Sequence, residues 1–354
     1  MPRRAMREPA ATSSPAGRPN VGTLTSIAAD AGVSVSTVSK VLNGRTDVAP
    51  DTRERISQLL RRQGYHPGSQ LGFGVVDLLL GAGECTATGE HSPWAEELIH
   101  GTVQAAAEAG HSVVVTPVST PAEFDRWLAL ATVRGTHGAL SVLHLPRGGE
   151  LSQLGTAGIP VVVIDPAEEP GADVRSVGTT NWQGGLSATR HLIELGHTRI
   201  AAIGGPATLW SSRARLDGYR AAMLEAGLAV DERMVCRDSF TVSGGRRQAA
   251  GLLDLAHRPS AVVAGNDAQA FGVLQALTAR GLRAPDDLSV VGFDDVPVAT
   301  WAAPALTTIR QPLAAMAATA FRMLRDDAAA QAHHVELATS LVVRSSTGPP
   351  PPRR

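Results

Sequence analysis

The stretch Thr23-Leu-Thr-Ser-Ile-Ala-Ala-Asp-Ala-Gly-Val-Ser-Val-Ser-Thr-Val-Ser-Lys-Val-Leu-Asn43 decides how the chain begins. Thr23 is placed to cap a first helix whose inward stripe is Leu24, Ile27, Ala28 and Ala31, a 3.6-residue pattern. Gly32 takes the left-handed conformation that ends such a helix, and Val33 plugs the corner that follows. Ser34 caps a second helix with Thr37, Val38 and Val41 facing inward. A third is expected from Pro50-Asp51, a favourable first turn, through Ile56, Leu59 and Leu60 to Gly64. This is a helix-turn-helix. Val35, Ser36, Ser39 and Lys40 share the outward side of its second helix. They are methyl-bearing, short and polar, or cationic, as a major groove requires: Val35 suits a thymine methyl, Lys40 a guanine edge or a phosphate.

Charge supports that reading. The net charge of −1 over 354 residues hides an asymmetry. Residues 1–71 carry ten Arg/Lys against five Asp/Glu, whereas the rest carries 22 against 28. A basic head on an acidic body is expected when one end meets phosphate and the other does not. Length implies two or three packed units. No apolar run approaches the roughly 18 residues of a membrane span. Residues 1–20 lack the apolar stretch of a secretory signal and read as a disordered basic tail, so a cytoplasmic protein is expected. Cys85 and Cys236 form no C-x-x-C pair and read as buried free thiols, and the scattered histidines, such as His191, His197, His333 and His334, show no helical metal spacing. Neither a metal nor another cofactor is expected.

These residues resemble the lactose/galactose repressor (LacI/GalR) family of bacterial regulators. The match runs through Ala28-x-x-Ala31-Gly32-Val33-Ser34-x-x-Thr37-Val38-Ser39-x-Val41-Leu42-Asn43, then Thr52-Arg53-Glu54-Arg55-Ile56 and Gly64-Tyr65-x-Pro67. The resemblance implies that Val35, Ser36 and Lys40 read bases. It implies that Thr23, Ser34, Thr37, Ser39, Asn43 and Tyr65 lie along phosphates, which orient the domain without choosing sequence. The family also has a hinge helix that lays a leucine into the minor groove, and here the chain departs from it. Only Gly68-Ser69-Gln70-Leu71-Gly72 separates the helix-turn-helix domain, residues 21–67, from the first strand. Five residues with two glycines do not nucleate a stable helix, so Leu71 is expected to pack at the domain junction.

From residue 73 apolar runs alternate with helical segments. Expected strands are 73–80, 113–115, 138–142, 161–164, 200–203, 261–264 and 288–293, and the helices between them include 95–109, 182–195, 213–226, 244–256 and 268–280. The pattern predicts doubly wound parallel sheets covered on both faces. Ligands gather at the carboxyl ends of such strands. The polar residues there are Asp77, the loop Ser92-Pro93-Trp94, Asp165, the turn Gly204-Gly205-Pro206 leading to Ser211 and Arg215, Asn266-Asp267 and Asp294-Asp295. Carboxylates, an amide and an arginine match the vicinal hydroxyls of a polyol, with Trp94, Phe240 and Trp301 as candidates for an apolar ring face. Asn266-Asp267 also suits a helix cap, and Asp294-Asp295 a plain strand end. Arg213 reads as a structural ion-pair former.

The resemblance implies a periplasmic-binding-protein-like sensor over residues 73–348, with 349–354 as a tail. Lobe 1 would comprise 73–177 and 311–334, including a helix at 313–327, and lobe 2 would comprise 178–309 and 335–348. It implies that Arg215, Asn266, Asp294, Phe240, Asp165 and Gln311 line the effector pocket, with Trp94 and Ser211 in loops that do so. The expected function is a repressor, acting as a homodimer on a pseudo-palindromic operator and controlled by a small-molecule effector, a mono- or oligosaccharide. Inducer and corepressor remain open. A sugar-transport protein would need an export signal and would have no use for residues 23–66; an enzyme would need a nucleophile elbow, P-loop or metal motif, and none is present. Exchanging Val35 and Ser36 should change which operator is selected from a randomised duplex pool while leaving non-specific binding intact; unchanged selection would contradict the groove assignment.

Overall fold

The computed structural model describes residues 24–42, 48–62, 74–81, 92–142, 148–172, 174–325 and 333–351. The chain divides into two compact units, residues 1–70 and 71–354. In the first, α1 (Leu24–Asp30), α2 (Val35–Leu42) and α3 (Pro50–Arg62) surround a small core in which Ile27, Val38 and Ile56 are fully buried. Gly32 has φ +61, and the Val33 N–H donates to Ala28 O at 2.9 Å, so the left-handed residue wraps the end of α1 onto itself. Ser34 Oγ accepts the Thr37 N–H at 3.2 Å and starts α2. The Thr23 cap, the end of the third helix at Gly64 and the hinge 68–72 lie outside the described residues.

The second unit holds two six-stranded sheets. The first comprises β1 (Gly74–Leu80), β2 (His111–Pro117), β3 (Gly138–Val142), β4 (Val161–Ile164), β5 (Arg175–Thr179) and β11 (His334–Leu337), in the order β11-β5-β4-β3-β1-β2. Helices α4 (Pro93–Glu108) and α12 (Leu313–Arg325) cover one face, and α5 (Pro121–Arg134) and α6 (Gly148–Ala157) the other. The second sheet comprises β6 (Ile200–Gly204), β7 (Val235–Arg237), β8 (Ala261–Ala264), β9 (Ser289–Asp294), β10 (Thr307–Arg310) and β12 (Ser340–Val342), in the order β12-β10-β9-β8-β6-β7. It lies between α7 (Asn181–Glu194) with α8 (Trp210–Glu225) and α9 (Val242–Leu253) with α10 (Asp267–Thr278); the short α11 (Val298–Trp301) follows β9. Among the described residues, every strand pair is parallel except β10 with β12. Central strands buried on both faces are why these runs are continuously apolar rather than alternating. Among the described residues no helix is long and apolar enough to cross a membrane.

Two lobe boundaries differ from the sequence expectation. β5 continues in the first sheet through Thr179, so the first crossing falls at Thr180 rather than after residue 177. Residues 335–337, expected in lobe 2, pair with β5 in lobe 1, and the return crossing falls at 338–339. The reason is local: Ser176 Oγ and His334 Nδ1 lie 2.8 Å apart, and the Thr180 N–H donates to Leu337 O at 3.0 Å. The first and third crossings are tied together, with Thr180 Oγ1 accepting the Thr339 N–H at 2.9 Å. Cys236 is half-buried, and burial together with Asp238 pushes its thiol up to about 11; Cys85 lies outside the described residues.

Close helix packing in the second lobe depends on glycine. A Cβ at Gly185 would lie 2.1 Å from Arg215 O, and one at Gly218 2.1 Å from Trp182 O. The backbones of α7 and α8 therefore touch, and Arg215 is set at a fixed height above the sheet. Gly185→Ala should lower stability by about 1–3 kcal/mol, because the overlap is with backbone that no rotamer change relieves. A urea unfolding midpoint equal to the parent's would show that the helices can separate freely.

Candidate functional site

In the first unit, α2 presents Val35, 43% exposed, with Ser36 and Lys40 also exposed and Thr37 and Ser39 half-buried beside them. The Ser34 hydroxyl lies 2.8 Å from both Ser36 Oγ and Thr37 Oγ1, which ties the first turn together. Val38, one position from Thr37 and Ser39, is fully buried, so the helix has one core face and one open face. Asn43 and Tyr65 lie outside the described residues, as does Thr23.

In the second unit the strand-end residues converge where the chain passes between lobes. Arg215, in the second turn of α8, is only 8% exposed. Its Nε donates to Asn181 Oδ1 at 2.8 Å and one terminal nitrogen donates to Gly265 O at 2.6 Å. Asp294 Oδ1 stands 3.7 Å from the same nitrogen, and the guanidinium lies 3.7 Å from the centre of the Phe293 ring. Phe240 is at 5.6 Å. Gln311, on the second crossing, accepts from Thr179 Oγ1 at 2.9 Å and donates to Asp294 Oδ1 at 2.7 Å. Residues from the first sheet's last strands, from the crossing and from the second lobe therefore form one connected network.

The backbone at these strand ends takes uncommon conformations. Asp165, Asp294 and Asp295 are the non-glycine residues with positive φ among the described residues, at +48, +117 and +59. Aspartate tolerates such conformations better than bulky residues do, and strain of this kind collects at functional sites. Burial raises the Asp165 carboxyl above the ordinary aspartate range, against the pull of Arg215 and a hydrogen bond with Asn181. Burial also weighs against the Arg215 charge, offset by Asp294, Asp165 and Asp267. Asp267 lies beneath the network, accepting from Thr308 Oγ1 at 2.5 Å and from the Val296 N–H at 3.0 Å. Its carboxyl is raised well above the usual range, by burial first and by the Asp294 charge second.

Next to this network a cavity of about 500 Å³ opens, with Asp165, Ser211, Thr179 and Asn181 on its inner wall. Asn266 caps α10 by accepting the Gln269 N–H at 2.9 Å, and its amide nitrogen donates to Phe240 O at 3.2 Å. Four expectations need correction. Trp94 is packed in the first lobe's core with Leu98 and Met316, because the Ser92 cap turns it inward at the start of α4. Asp77 is fully buried within β1 and is matched by Arg134 at 2.5 Å and Thr136 at 2.6 Å, away from the cleft. Trp301 is 77% exposed beside Phe271 and Leu274 on the outer surface of α10 and α11. Arg213, expected in an ion pair, instead donates to Ala207 O at 2.8 Å and Thr208 O at 3.1 Å. Asn181, Thr179 and Phe293 belong to the network but were not foreseen; Asn181 opens α7 just after a strand too polar to be read as one.

A helix-turn-helix and a two-lobed, doubly wound body in one chain define a DNA-binding transcription regulator. Residues 23–68 match the family described as bacterial regulatory proteins, lacI family, and residues 189–347 match the periplasmic binding protein-like domain. The chain is 35% identical over 333 residues to the transcriptional regulator CelR of Thermobifida fusca, covering 92% of this chain and 98% of that protein. It is 30% identical over 339 residues to the regulator DegA of Bacillus subtilis (strain 168), with the same coverage. Among solved structures, a CelR–cellobiose complex superposes with a TM-score of 0.68 at 35% identity, covering 92% of this chain and 99% of that one. The lac repressor dimer bound to operator and an anti-inducer gives 0.66 at 25% identity, again covering 92% and 99%. The chain belongs to the lacI family of bacterial transcription regulators.

The raised Asp267 carboxyl has a definite consequence. In the fold this carboxyl keeps its proton to higher pH than in the unfolded chain, where it is released at about pH 3.9. The stability it contributes is present below that pH and falls as pH rises through the folded value. Asp267→Asn has no such proton. Its urea midpoint should therefore gain on the parent's as pH rises from about 4.5; a gap that moves the other way would mean Asp267 is ionised in the fold.

Proposed function

We propose that the chain is a homodimeric repressor whose hold on a pseudo-palindromic operator is set by a sugar, a mono- or oligosaccharide, bound between the lobes. The observation that carries this reading is the Arg215 network: Asn181, Gln311 and Asp294 reach the guanidinium or one another from both sides of the crossings. A ligand at Asp165, Ser211, Arg215, Phe240, Asn266, Asp294 and Gln311 meets carboxylates, amides and a guanidinium that suit hydroxyl pairs, and an aromatic face that suits a ring. The relative crystallised with cellobiose supports a sugar rather than a nucleobase. Trp94 has no part in this pocket.

DNA would be met by Val35, Ser36 and Lys40 at base edges, with Ser34, Thr37 and Ser39 beside phosphates, and with Thr23, Asn43 and Tyr65 continuing that row. The lac repressor dimer on its operator supports a dimer here, and the exposed Trp301 with Val298, Phe271 and Leu274 offers an apolar face of the kind that subunits cover. Such a protein works in the cytoplasm, where its operator is. Sugar binding would favour one lobe arrangement and release DNA, with a coupling of about 1–3 kcal/mol, or roughly 5- to 150-fold in affinity.

Thermal-shift screening of the full chain against sugars, with nucleobases as controls, identifies the effector, since a ligand selective for the native state raises its melting temperature. Arg215→Ala should bind operator like the parent in fluorescence anisotropy but lose the response to that effector. Because removing a buried charge partner costs about 3–5 kcal/mol, its melting curve is recorded alongside. Normal release of DNA by this variant would defeat the assignment of the pocket.

A further inference from the structure

Of the side chains placed at the effector, Asp165 and Ser211 border the open cavity, with Thr179 and Asn181 beside them. Arg215 stands behind this inner wall, held by Asn181, Gly265 O, Asp294 and the Phe293 ring. The cavity of about 500 Å³ extends past Asp165 and Ser211 to a second wall formed by Trp182, Trp210, Glu169, Asp217, His334 and Glu336. Trp182 is 39% exposed there, at the start of α7, although most large apolar side chains of this unit are buried. Trp210 opens α8; its N–H donates to Ala167 O at 2.7 Å, and its ring lies 5.8 Å from that of His334 with the planes at 39°. The wall is thus assembled from both lobes: Trp182, Trp210 and Asp217 from second-lobe helices, Glu169, His334 and Glu336 from the first lobe.

We infer that this wall is a second subsite of the cleft, which stacks a further ring of a neutral oligosaccharide on Trp182 and Trp210; the inference rests on the cleft being the effector site. Indole faces take the C–H face of a pyranose, while carboxylates accept from its hydroxyls, and both are present at one surface. The volume falls within the roughly 300–1,000 Å³ of sites for ligands of drug size, the class to which a disaccharide belongs. Charge narrows the class. Glu169, Asp217 and Glu336 face the space against Arg213, whose guanidinium is turned onto the carbonyls of Ala207 and Thr208. A sugar phosphate would therefore meet repulsion where a neutral ring meets acceptors.

The test is calorimetric titration of the full-length chain with glucose, xylose, their β-1,4-linked disaccharides, maltose and glucose 6-phosphate. At least one disaccharide should bind about tenfold or more tightly than its own monosaccharide, and glucose 6-phosphate should bind no better than glucose. Trp182→Ala should remove most of the disaccharide's advantage and leave the monosaccharide's affinity unchanged, whereas Trp182→Phe should retain it; unliganded melting temperatures check both folds. If Trp182→Ala weakens both sugars equally, or neither, or if the phosphate binds more tightly, the subsite is overturned while the cleft remains an effector site. Binding of none of these sugars would overturn the sugar reading of the cleft together with the subsite.

Discussion

The second unit is arranged around a cation it has taken out of water. A guanidinium enclosed by protein is tolerable only where hydrogen bonds and opposite charge replace its hydration. Arg215 finds these in Asn181, Gly265 O, Asp294 and the face of Phe293, which arrive from α7, the end of β8 and the end of β9. No single element could supply them. The strand ends must therefore be held together, and Gln311 does so by bonding both Thr179 of the first sheet and Asp294 of the second. Satisfying one buried charge thus fixes the relation of the crossings to the cleft floor.

That requirement reaches back into the backbone. Arg215 can sit where it does because α8 approaches α7 closely at Gly185 and Gly218. On the opposite face of the same sheet α9 and α10 meet in the same way, at Gly245 against Gln269 O and at Gly272 against Val242 O. Gln269 in turn donates to Ser239 O at 2.9 Å and accepts the Gly265 N–H at 3.1 Å, holding the loop whose carbonyl receives Arg215. Side chains that touch no ligand therefore determine the geometry of those placed to do so.

What could be read in the sequence follows from where each signal originates. The helix-turn-helix was legible because its information is local: a cap at Ser34, a left-handed glycine at Gly32 and an apolar stripe are contained within a few residues. The central strands β3, β4 and β8 were legible to the residue because burial on both faces requires an uninterrupted apolar run. β5, β10 and β11 were not. Their residues, such as Ser176, Thr307, Thr308 and His334, are polar and are satisfied by partners distant in the chain: His334 for Ser176, Thr347 for Thr307, Asp267 for Thr308. The helix α5 was missed although it carries a complete capping box between Thr120 and Glu123, a signal the apolar pattern does not weigh. In the site, residues at the ends of recognisable strands were found, whereas Asn181 and Thr179 were hidden by the polar strand before them. Trp94 shows the converse error, since a loop position says nothing about which way a large side chain turns.

The corrected crossings bear on how a ligand can act. The first and third crossings meet at Thr180 and Thr339, and the second carries Gln311; the hinge of the two lobes is therefore a small set of hydrogen bonds next to the cleft floor rather than a free linker. A ligand shifts such an equilibrium only by the difference between its contacts in the two arrangements. Contacts confined to the buried network change little on closure, because that network already spans the crossings. Contacts to a wall contributed by both lobes, where Trp210 holds Ala167 and lies beside His334, depend directly on the separation of the lobes. On the subsite reading, a ligand bridging that wall would bias the lobes from the periphery of the cleft, with the buried arginine as the fixed point.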